Sequence, residues 1–391
     1  MSLTSLPTFV FKDLLLEWRR HLHSRPELSW QELETTEFIL NELKKLGIED
    51  ISRPLKTGLV AKIENGKGKC VALRADIDAL PITEQNTCSY KSQNDGVMHA
   101  CGHDVHSTCL LGAAKYLIEN RDKWQGTIVL IFQPSEEKQP SGAEALIKAG
   151  VLEESKIEAI LGLHVTPELE VGKLGFREGP FMASADEIYM TVIGKGGHGA
   201  SPHLCIDPIV LSAHIILALQ NLVSRYADPK TPTVLTFGDI HGSGATNIIP
   251  EKVELKGTLR TFDEKWRREL QQKTKKMAQG IARSFGGDCV VDIPEGVPFV
   301  NNEPVLTNKI SLLAEHLLGK ENVVVMPMRM GAEDFSFYGH RCAASFFRLG
   351  TGNDKKGTTT TVHNSKFEID EDALIVGSSA MAKMAIGLLK D

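Results

Sequence analysis

The chain has 391 residues, 42% of them hydrophobic and 24% charged, with a formal net charge of −6. That length suffices for two ordinary domains, each with its own core. The acidic balance, without a basic stripe or a polybasic amphipathic segment, leaves no nucleic acid and no membrane surface among the expected partners. The N-terminal Met-Ser-Leu-Thr-Ser-Leu lacks a basic n-region, so no signal peptide is expected. No apolar run reads as a membrane span. Seven cysteines without framework spacing fit a reducing, cytoplasmic setting.

Residues 11–48 predict two helices broken at Arg25-Pro26, with Leu14, Leu15, Trp18 and Leu22 on one stripe and Phe38, Ile39, Leu43 and Leu46 on the other. His21 and His23 read as polar caps in the linker between them. Strands are predicted over 58–64 and 70–78, the second ending in Asp76-Ile77-Asp78. Open α/β sheets place their sites at the carboxyl ends of strands. Asp76 or Asp78 therefore either orients a ligand histidine from behind or simply faces water.

Met98-His99-Ala100-Cys101-Gly102-His103-Asp104-Val105-His106 precedes a helix predicted over 105–120. Cys101 and His103, two apart, converge on one centre if the backbone is extended or turned. Asp104 is placed to cap the helix, whose positive end would lower the thiol pKa. A thiolate beside a neutral imidazole suits zinc or a neighbouring transition metal, while a capped helix with a buried structural cysteine would read the same way. The strand over 126–133 ends in Gln133-Pro134-Ser135-Glu136-Glu137. Adjacent carboxylates are costly unless something positive compensates, and such a pair can divide its labour between binding metal and moving protons. A solvated acidic loop is the plainer alternative. A short helix over 142–150 and a strand over 159–165 carrying His164 complete a βαβ pattern, which predicts a mostly parallel sheet flanked by helices.

From 184 the pattern changes. Strand 186–193, helix 208–224, strands 234–240 and 253–262, helix 263–285 and strand 289–293 predict a small α+β domain. The organisation is thus a first domain over 1–183 and 296–391, interrupted by an insertion over 184–295. Gly194, Gly196 and Gly199 spell a GxGxxG, but Ser201-Pro202-His203 interrupts the helix a dinucleotide site would need. The loop reads instead as one that lets His198 approach a substrate. The resumed domain predicts a helix over 303–318, a strand over 343–349, a loop carrying His363 and a final helix after Asp370.

Several of these stretches resemble signatures of one family. They are His23-Ser24-Arg25-Pro26-Glu27-Leu28-Ser29, Leu73-Arg74-Ala75-Asp76-Ile77-Asp78-Ala79-Leu80-Pro81, His99-Ala100-Cys101-Gly102-His103-Asp104-Val105-His106, Phe132-Gln133-Pro134-Ser135-Glu136-Glu137, Gly196-Gly197-His198-Gly199-Ala200-Ser201-Pro202, Thr246-Asn247-Ile248-Ile249-Pro250, Arg260-Thr261-Phe262-Asp263 and Glu333-Asp334-Phe335. The family is that of the metal-dependent amidohydrolases and aminoacylases, which includes hippurate hydrolase, bacterial N-acyl-amino-acid amidohydrolases and plant auxin-conjugate hydrolases. The resemblance implies a di-metal exopeptidase-like catalytic domain with an inserted ferredoxin-like lid or dimerisation domain. It implies two divalent metal ions per subunit, zinc, manganese, nickel or cobalt, bridged by Cys101 and further held by His103, Glu137, His164 and His363. Glu136 would be the general base and acid. His198 would stabilise the oxyanion, from the same chain or from the partner in a homodimer. Asn247 and Arg260 would hold the substrate carboxylate, and Asp78 would orient a ligand histidine. The implied reaction is hydrolysis of the amide of an N-acyl amino acid or conjugate. A dipeptidase or carboxypeptidase is the second reading. A non-catalytic metal-binding protein is the third, and an intact Glu136 argues against it.

Overall fold

The computed structural model describes residues 5–390 and divides them into two units. The first takes the chain up to Gly179, Asn301–Pro327 and the chain from Asp334; the second takes Pro180–Val300 and Met328–Glu333.

The first unit is built on an eight-stranded sheet. Its strands are β1 (Ile51–Ser52), β2 (Leu59–Asn65), β3 (Cys70–Asp76), β4 (Gly126–Gln133), β5 (Ala159–Glu170), β6 (Leu174–Phe176), β15 (Val323–Val325) and β16 (Ala343–Gly352), in the order β1-β2-β4-β3-β5-β16-β6-β15. The central four, β4-β3-β5-β16, run parallel. A parallel strand covered on both faces must be apolar along its whole length. Cys70-Val71-Ala72-Leu73 and Ile128-Val129-Leu130-Ile131 meet that demand and are buried throughout. The helices are α1 (Lys12–Ser24), α2 (Leu33–Lys45), α3 (His103–Glu119), α4 (Gly142–Lys148), α5 (Val151–Ser155), α8 (Pro304–Leu318), α9 (Ser336–Gly339) and α10 (Ala373–Leu389). Helices α3 and α10 are buried almost end to end, which explains why neither shows a polar face in its sequence.

Two expectations fail in this unit. His21 and His23 lie not in a linker but in the last turns of α1, because the helix continues to Ser24 before Arg25-Pro26 stops it. His23 is buried, with Nδ1 2.8 Å from Asp104 and Nε2 3.2 Å from Glu84. Nor does Asp104 cap α3. The capping position belongs to Gly102, and the Asp104 carboxylate turns instead to Arg19 Nε at 3.0 Å and to His23. Burial would raise the Asp104 pKa, but the charges of His23 and Arg19 outweigh it and hold the carboxyl well below its usual range.

In the second unit, β8 (Asp186–Ile193), β10 (Thr233–Gly242), β12 (Lys252–Thr261) and β13 (Asp288–Asp292) form an antiparallel sheet in the order β10-β12-β8-β13. With α6 (Pro208–Asn221) and α7 (Glu264–Ser284) between them in the chain, the connectivity is βαββαβ, the ferredoxin-like arrangement. Two short strands, β9 (Gly197–His198) and β11 (Ile248–Ile249), pair separately. The strands β7 (Gly179–Met182) and β14 (Val300–Asn302) mark the passages of the chain between units. Met328–Glu333, left by the sequence pattern in the resumed first domain, joins the second unit through backbone bonds of Arg329 to Phe181 and Ala183 at 2.9 and 3.0 Å. The helical run Pro208–Tyr226 is long and apolar enough to cross a membrane by length and composition, contrary to the reading that no such run exists. Its Leu211, Ile215, Leu219 and Leu222 instead fill the core of this unit.

The Asp104 contacts fix the α1–α3 packing and have a signed pH consequence. Asp104→Asn is expected to lower the unfolding free energy of the metal-free protein by about 3–5 kcal/mol at pH 7. Because the folded pKa is depressed, this contribution is complete above the unfolded carboxylate pKa of about 3.9 and shrinks as pH falls below it. Urea unfolding from pH 7 to pH 3 checks this; a gap that fails to narrow contradicts it.

Candidate metal centre

Parallel pairing brings the carboxyl ends of β3, β4 and β5 to one edge of the sheet. Asp76, the last residue of β3, is in register with Gln133, the last of β4. Asp78 follows β3, Glu136 and Glu137 follow β4, and His164 sits in β5. The turn into α3 supplies Cys101 and His103. Gly102 between them has φ +88°, and a Cβ there would meet Val165 Cγ2 at 2.5 Å. A glycine is therefore needed to present the thiol and the imidazole side by side. His363 also has a left-handed φ of +61°, and its N–H donates to Ala100 O at 2.7 Å, tying its loop to the cysteine turn. At Gly142 a Cβ would collide with the Pro134 carbonyl oxygen, so only glycine lets α4 start against the segment leading to Glu136.

The expected ligands gather in two triads that share one thiol. Cys101, His103 and His164 form the first, and Cys101, Glu137 and His363 the second. In each, one donor atom per residue lies within 4.8 Å of the others. Cys101 Sγ is 3.3 Å from His164 Nε2, and His363 Nε2 is 3.2 Å from Glu137 Oε1. The hydrogen bonds select the tautomers. His164 Nδ1 donates to Val165 O at 2.7 Å, so its Nε2 lone pair faces the thiol. His103 Nδ1 donates to Asp78 Oδ1 at 3.2 Å, and its buried Nε2 has no hydrogen-bond partner among the described residues. Asp78 is itself fixed by Ser29 Oγ at 2.7 Å and by the N–H of Glu137 at 3.0 Å. A buried imidazole nitrogen left without a hydrogen bond between carboxylates and a thiol is costly unless positive charge, a proton or a metal ion, is held there, and mixed sulfur, nitrogen and oxygen donors suit a divalent transition metal. The donor set therefore fits the metal pair that the sequence implies.

A further grouping of Asp76, His103 and His106 has ligand types at ligand spacing. It does not fit a metal through His106. That ring donates from Nδ1 to Asp76 Oδ1 at 2.6 Å and accepts the Val165 N–H on Nε2 at 3.0 Å, so both nitrogens are engaged. His99, for all its place in the motif, is buried with neither ring nitrogen hydrogen-bonded among the described residues, and burial pushes it down to about 4.

The field at this edge is strongly negative. Burial opposes charge on His103, but Asp76, Asp78 and Glu137 outweigh it and raise its pKa to about 10. The thiol expectation is overturned for the metal-free protein. Burial and the nearby carboxylates of Glu137, Glu136 and Asp76 raise Cys101 well above the ordinary thiol value, more than the helix end can offset. His164 is held neutral, chiefly by burial and next by Arg348.

Several residues here were not singled out from sequence. Arg74 is fully buried and bonds Gln133 Oε1, Asp76 Oδ2 and Asp334 Oδ1 at 2.9, 2.7 and 2.8 Å. Its signal was a lone arginine inside an apolar strand. Asp334 also accepts from Ser141 Oγ at 2.6 Å and Ala143 N at 3.1 Å, while its own N–H approaches Glu136 Oε1 at 3.5 Å. His106 closed the motif that begins at His99, but no role of its own was read for it.

In the second unit, His198 Nδ1 accepts the Ala200 N–H at 3.0 Å, which puts the ring proton on the exposed Nε2. His198 pairs with Ile248 in β11, and Gly199 N donates to Asn247 O at 2.8 Å, so the exposed Asn247 lies just before β11 and beside the β9 end that carries His198. Arg260 lies on β12 opposite Val234, half-buried, and burial lowers its pKa.

With this geometry in hand, comparison with known proteins is decisive. The sequence profile of peptidase family M20/M25/M40 matches residues 72–386. The chain belongs to that family. M20 membership makes it a hydrolase of the peptidase and amidohydrolase type. It is 40% identical over 379 residues to thermostable carboxypeptidase 2 of Saccharolobus solfataricus, covering 96% of this chain and 95% of that protein. It is 45% identical over 276 residues to the N-acyl-L-amino acid amidohydrolase of Geobacillus stearothermophilus, covering 70% and 74%. The crystal structure of the Bacillus subtilis YXEP protein, a dinuclear metal binding peptidase of the M20 family, superposes with a TM-score of 0.84 at 36% identity, covering 97% of this chain and 99% of that one.

His103 and Cys101 both hold protons near neutrality in the metal-free protein, so a metal ion ligated by them would have to displace those protons. Zinc affinity measured by chelator competition should rise at least about tenfold per pH unit between pH 6 and 8. An affinity independent of pH contradicts the ligand assignment.

Proposed function

We propose that the protein is a di-metal amidohydrolase that cleaves the amide bond of N-acyl amino acids or related conjugates. The observation that carries this reading is the pair of donor triads sharing Cys101, with Glu136 adjacent to the ligand Glu137 and left over from both. Cys101 would bridge two divalent ions, His103 and His164 would complete one site, and Glu137 and His363 the other. The ions, when bound, supply Lewis acidity that acidifies a water and polarises the scissile carbonyl.

The chain's own residues do the rest. The Glu136 carboxylate accepts the proton of the attacking water and returns it to the leaving nitrogen. The backbone N–H of Asp334, 3.5 Å from Oε1, helps to aim it. Asp78 holds His103 with its lone pair forward. His198 presents the N–H an oxyanion donor needs, since its Nδ1 is occupied as an acceptor and its ring hydrogen therefore sits on the exposed Nε2. Arg260 offers the paired donors that recognise a carboxylate, and Asn247 adds an amide. A homodimer is supported by the apolar side chains left exposed on α6, Ile209, Val210 and Leu217, and by Ile240 on the edge strand β10. All seven cysteines are free, which supports a cytoplasmic setting. A carboxypeptidase reading is favoured by the similarity to thermostable carboxypeptidase 2 over nearly the whole chain. Both readings share a substrate with an amide next to a carboxylate and differ in what lies on the acyl side.

A panel of N-acetyl amino acids, N-benzoyl amino acids and N-blocked dipeptides, assayed after metal reconstitution, separates the two. The proposal expects the simple N-acyl amino acids to have the highest kcat/KM; preference for blocked dipeptides favours the carboxypeptidase. Glu136→Gln should keep both metals and lose about 10²–10⁴ in kcat. Wild-type turnover by that variant would remove Glu136 from its role. His198→Ala should cost about 10²–10³ in kcat with metal content intact. Loss of metal instead would make His198 a ligand.

A further inference from the structure

Resting on the metal-site reading above, we propose that Asp76 and His106 form a positioning pair that sets the orientation of His164. The argument starts from a gap in the sheet. Pairing between β3 and β5 runs from Val71 and Ala159 to Arg74 and Gly162 and stops there. Beyond it, the backbone of β5 loses its β3 neighbour just as it reaches His164. An unpaired buried N–H is expensive, so the structure must supply an acceptor. It supplies a side chain. The Val165 N–H donates to His106 Nε2 at 3.0 Å.

An imidazole accepts on Nε2 only in the tautomer protonated at Nδ1. Asp76 enforces that tautomer by accepting the Nδ1 proton on Oδ1 at 2.6 Å. Its other oxygen takes Arg74 Nη1 at 2.7 Å, so the carboxylate cannot swing away. Asp76, His106 and Arg74 are all fully buried. The other polar group of Val165, its carbonyl, accepts the Nδ1 proton of His164 at 2.7 Å. Val165 is therefore held at its nitrogen by His106 and holds His164 by its oxygen. The relay Asp76, His106, Val165 backbone, His164 ends on the Nε2 lone pair that faces Cys101 at 3.3 Å. The His106 and His164 rings also pack against each other, with centroids 4.8 Å apart. Only one of the two donor triads is served. Glu137 and His363 have no link in this relay.

That asymmetry gives the test. Zinc is titrated into the metal-free full-length protein against a chromophoric chelator. His106→Leu fills the space but accepts nothing. It should weaken one of two zinc sites by about 10–100-fold and leave the other near its wild-type affinity. His106→Gln, whose amide oxygen can take the Val165 N–H, should restore the weakened site. Histidine ¹⁵N spectra of the metal-free protein should show His164 locked with hydrogen on Nδ1 in wild type and in the Gln variant, and mixed tautomers in the Leu variant. Wild-type affinity at both sites in His106→Leu overturns the proposal. So does equal weakening of both sites without recovery in His106→Gln, the pattern of a general packing defect. Should His106→Leu fail to fold, Asp76→Asn must weaken the same single site, and unchanged binding there overturns the proposal equally. A wild-type protein that binds no zinc through Cys101, His103 and His164 refutes the metal-site reading itself, whereas two intact wild-type sites with no effect of His106 refute the positioning pair alone.

Discussion

Negative charge concentrated at one end of a parallel sheet is the constraint around which this protein is built. Asp76 and Asp78 arrive on β3, and Glu136 and Glu137 follow β4. Such a group of carboxylates, partly or wholly withdrawn from water, is tenable only with positive charge among them. Arg74 answers part of the demand from below, through its bonds to Asp76 and Asp334. Protons on His103 and Cys101 answer another part in the metal-free state, which is why both pKa values are pushed upward. Divalent cations would answer it more fully and release those protons. Fold stability, proton inventory and metal affinity are in this sense one electrostatic balance.

The scaffold makes that balance geometrically definite. Parallel strands fix which residues share an edge, and the βαβ connections return each strand to the same end. Glycine at 102 lets the thiol and the first helical imidazole emerge side by side. The rings of His103, His164 and His106 are each oriented by a hydrogen bond on the far nitrogen, to Asp78, to the Val165 carbonyl and to Asp76. Preorganisation of this kind is what lets a metal pair bind in one arrangement rather than several.

Much of this was legible in the sequence, for physical reasons. Strands buried on both faces cannot hide among polar residues, so β3, β4 and β5 stood out, and the helices around them followed from apolar period and chain breakers. The ferredoxin-like order of the second unit could be read from its alternating strands. The ligand types were visible because thiols, imidazoles and paired carboxylates at strand ends are chemically conspicuous. What stayed hidden was everything decided by long-range packing. His23 looked like a cap because nothing local announces Asp104 and Glu84 as its partners. Arg74 and Asp334 are 260 residues apart in the chain and meet only in three dimensions. The thiol pKa was misjudged because the helix end is a local feature, whereas the burial that chiefly raises it and the carboxylates that add to it come from packing against other strands. The membrane-length helix Pro208–Tyr226 shows the same lesson reversed, since Leu211, Ile215, Leu219 and Leu222 lie in the core of the second unit while Ile209, Val210 and Leu217 stay exposed.

The central claim is that one sulfur joins two cations at this sheet edge. Its most direct test is a crystal structure of the cobalt-reconstituted protein with anomalous data collected at the cobalt edge. The account predicts two anomalous peaks per chain, both within bonding distance of Cys101 Sγ, one beside His103 and His164 and the other beside Glu137 and His363. A single peak, or two peaks with the Cys101 sulfur bonded to neither, would contradict it.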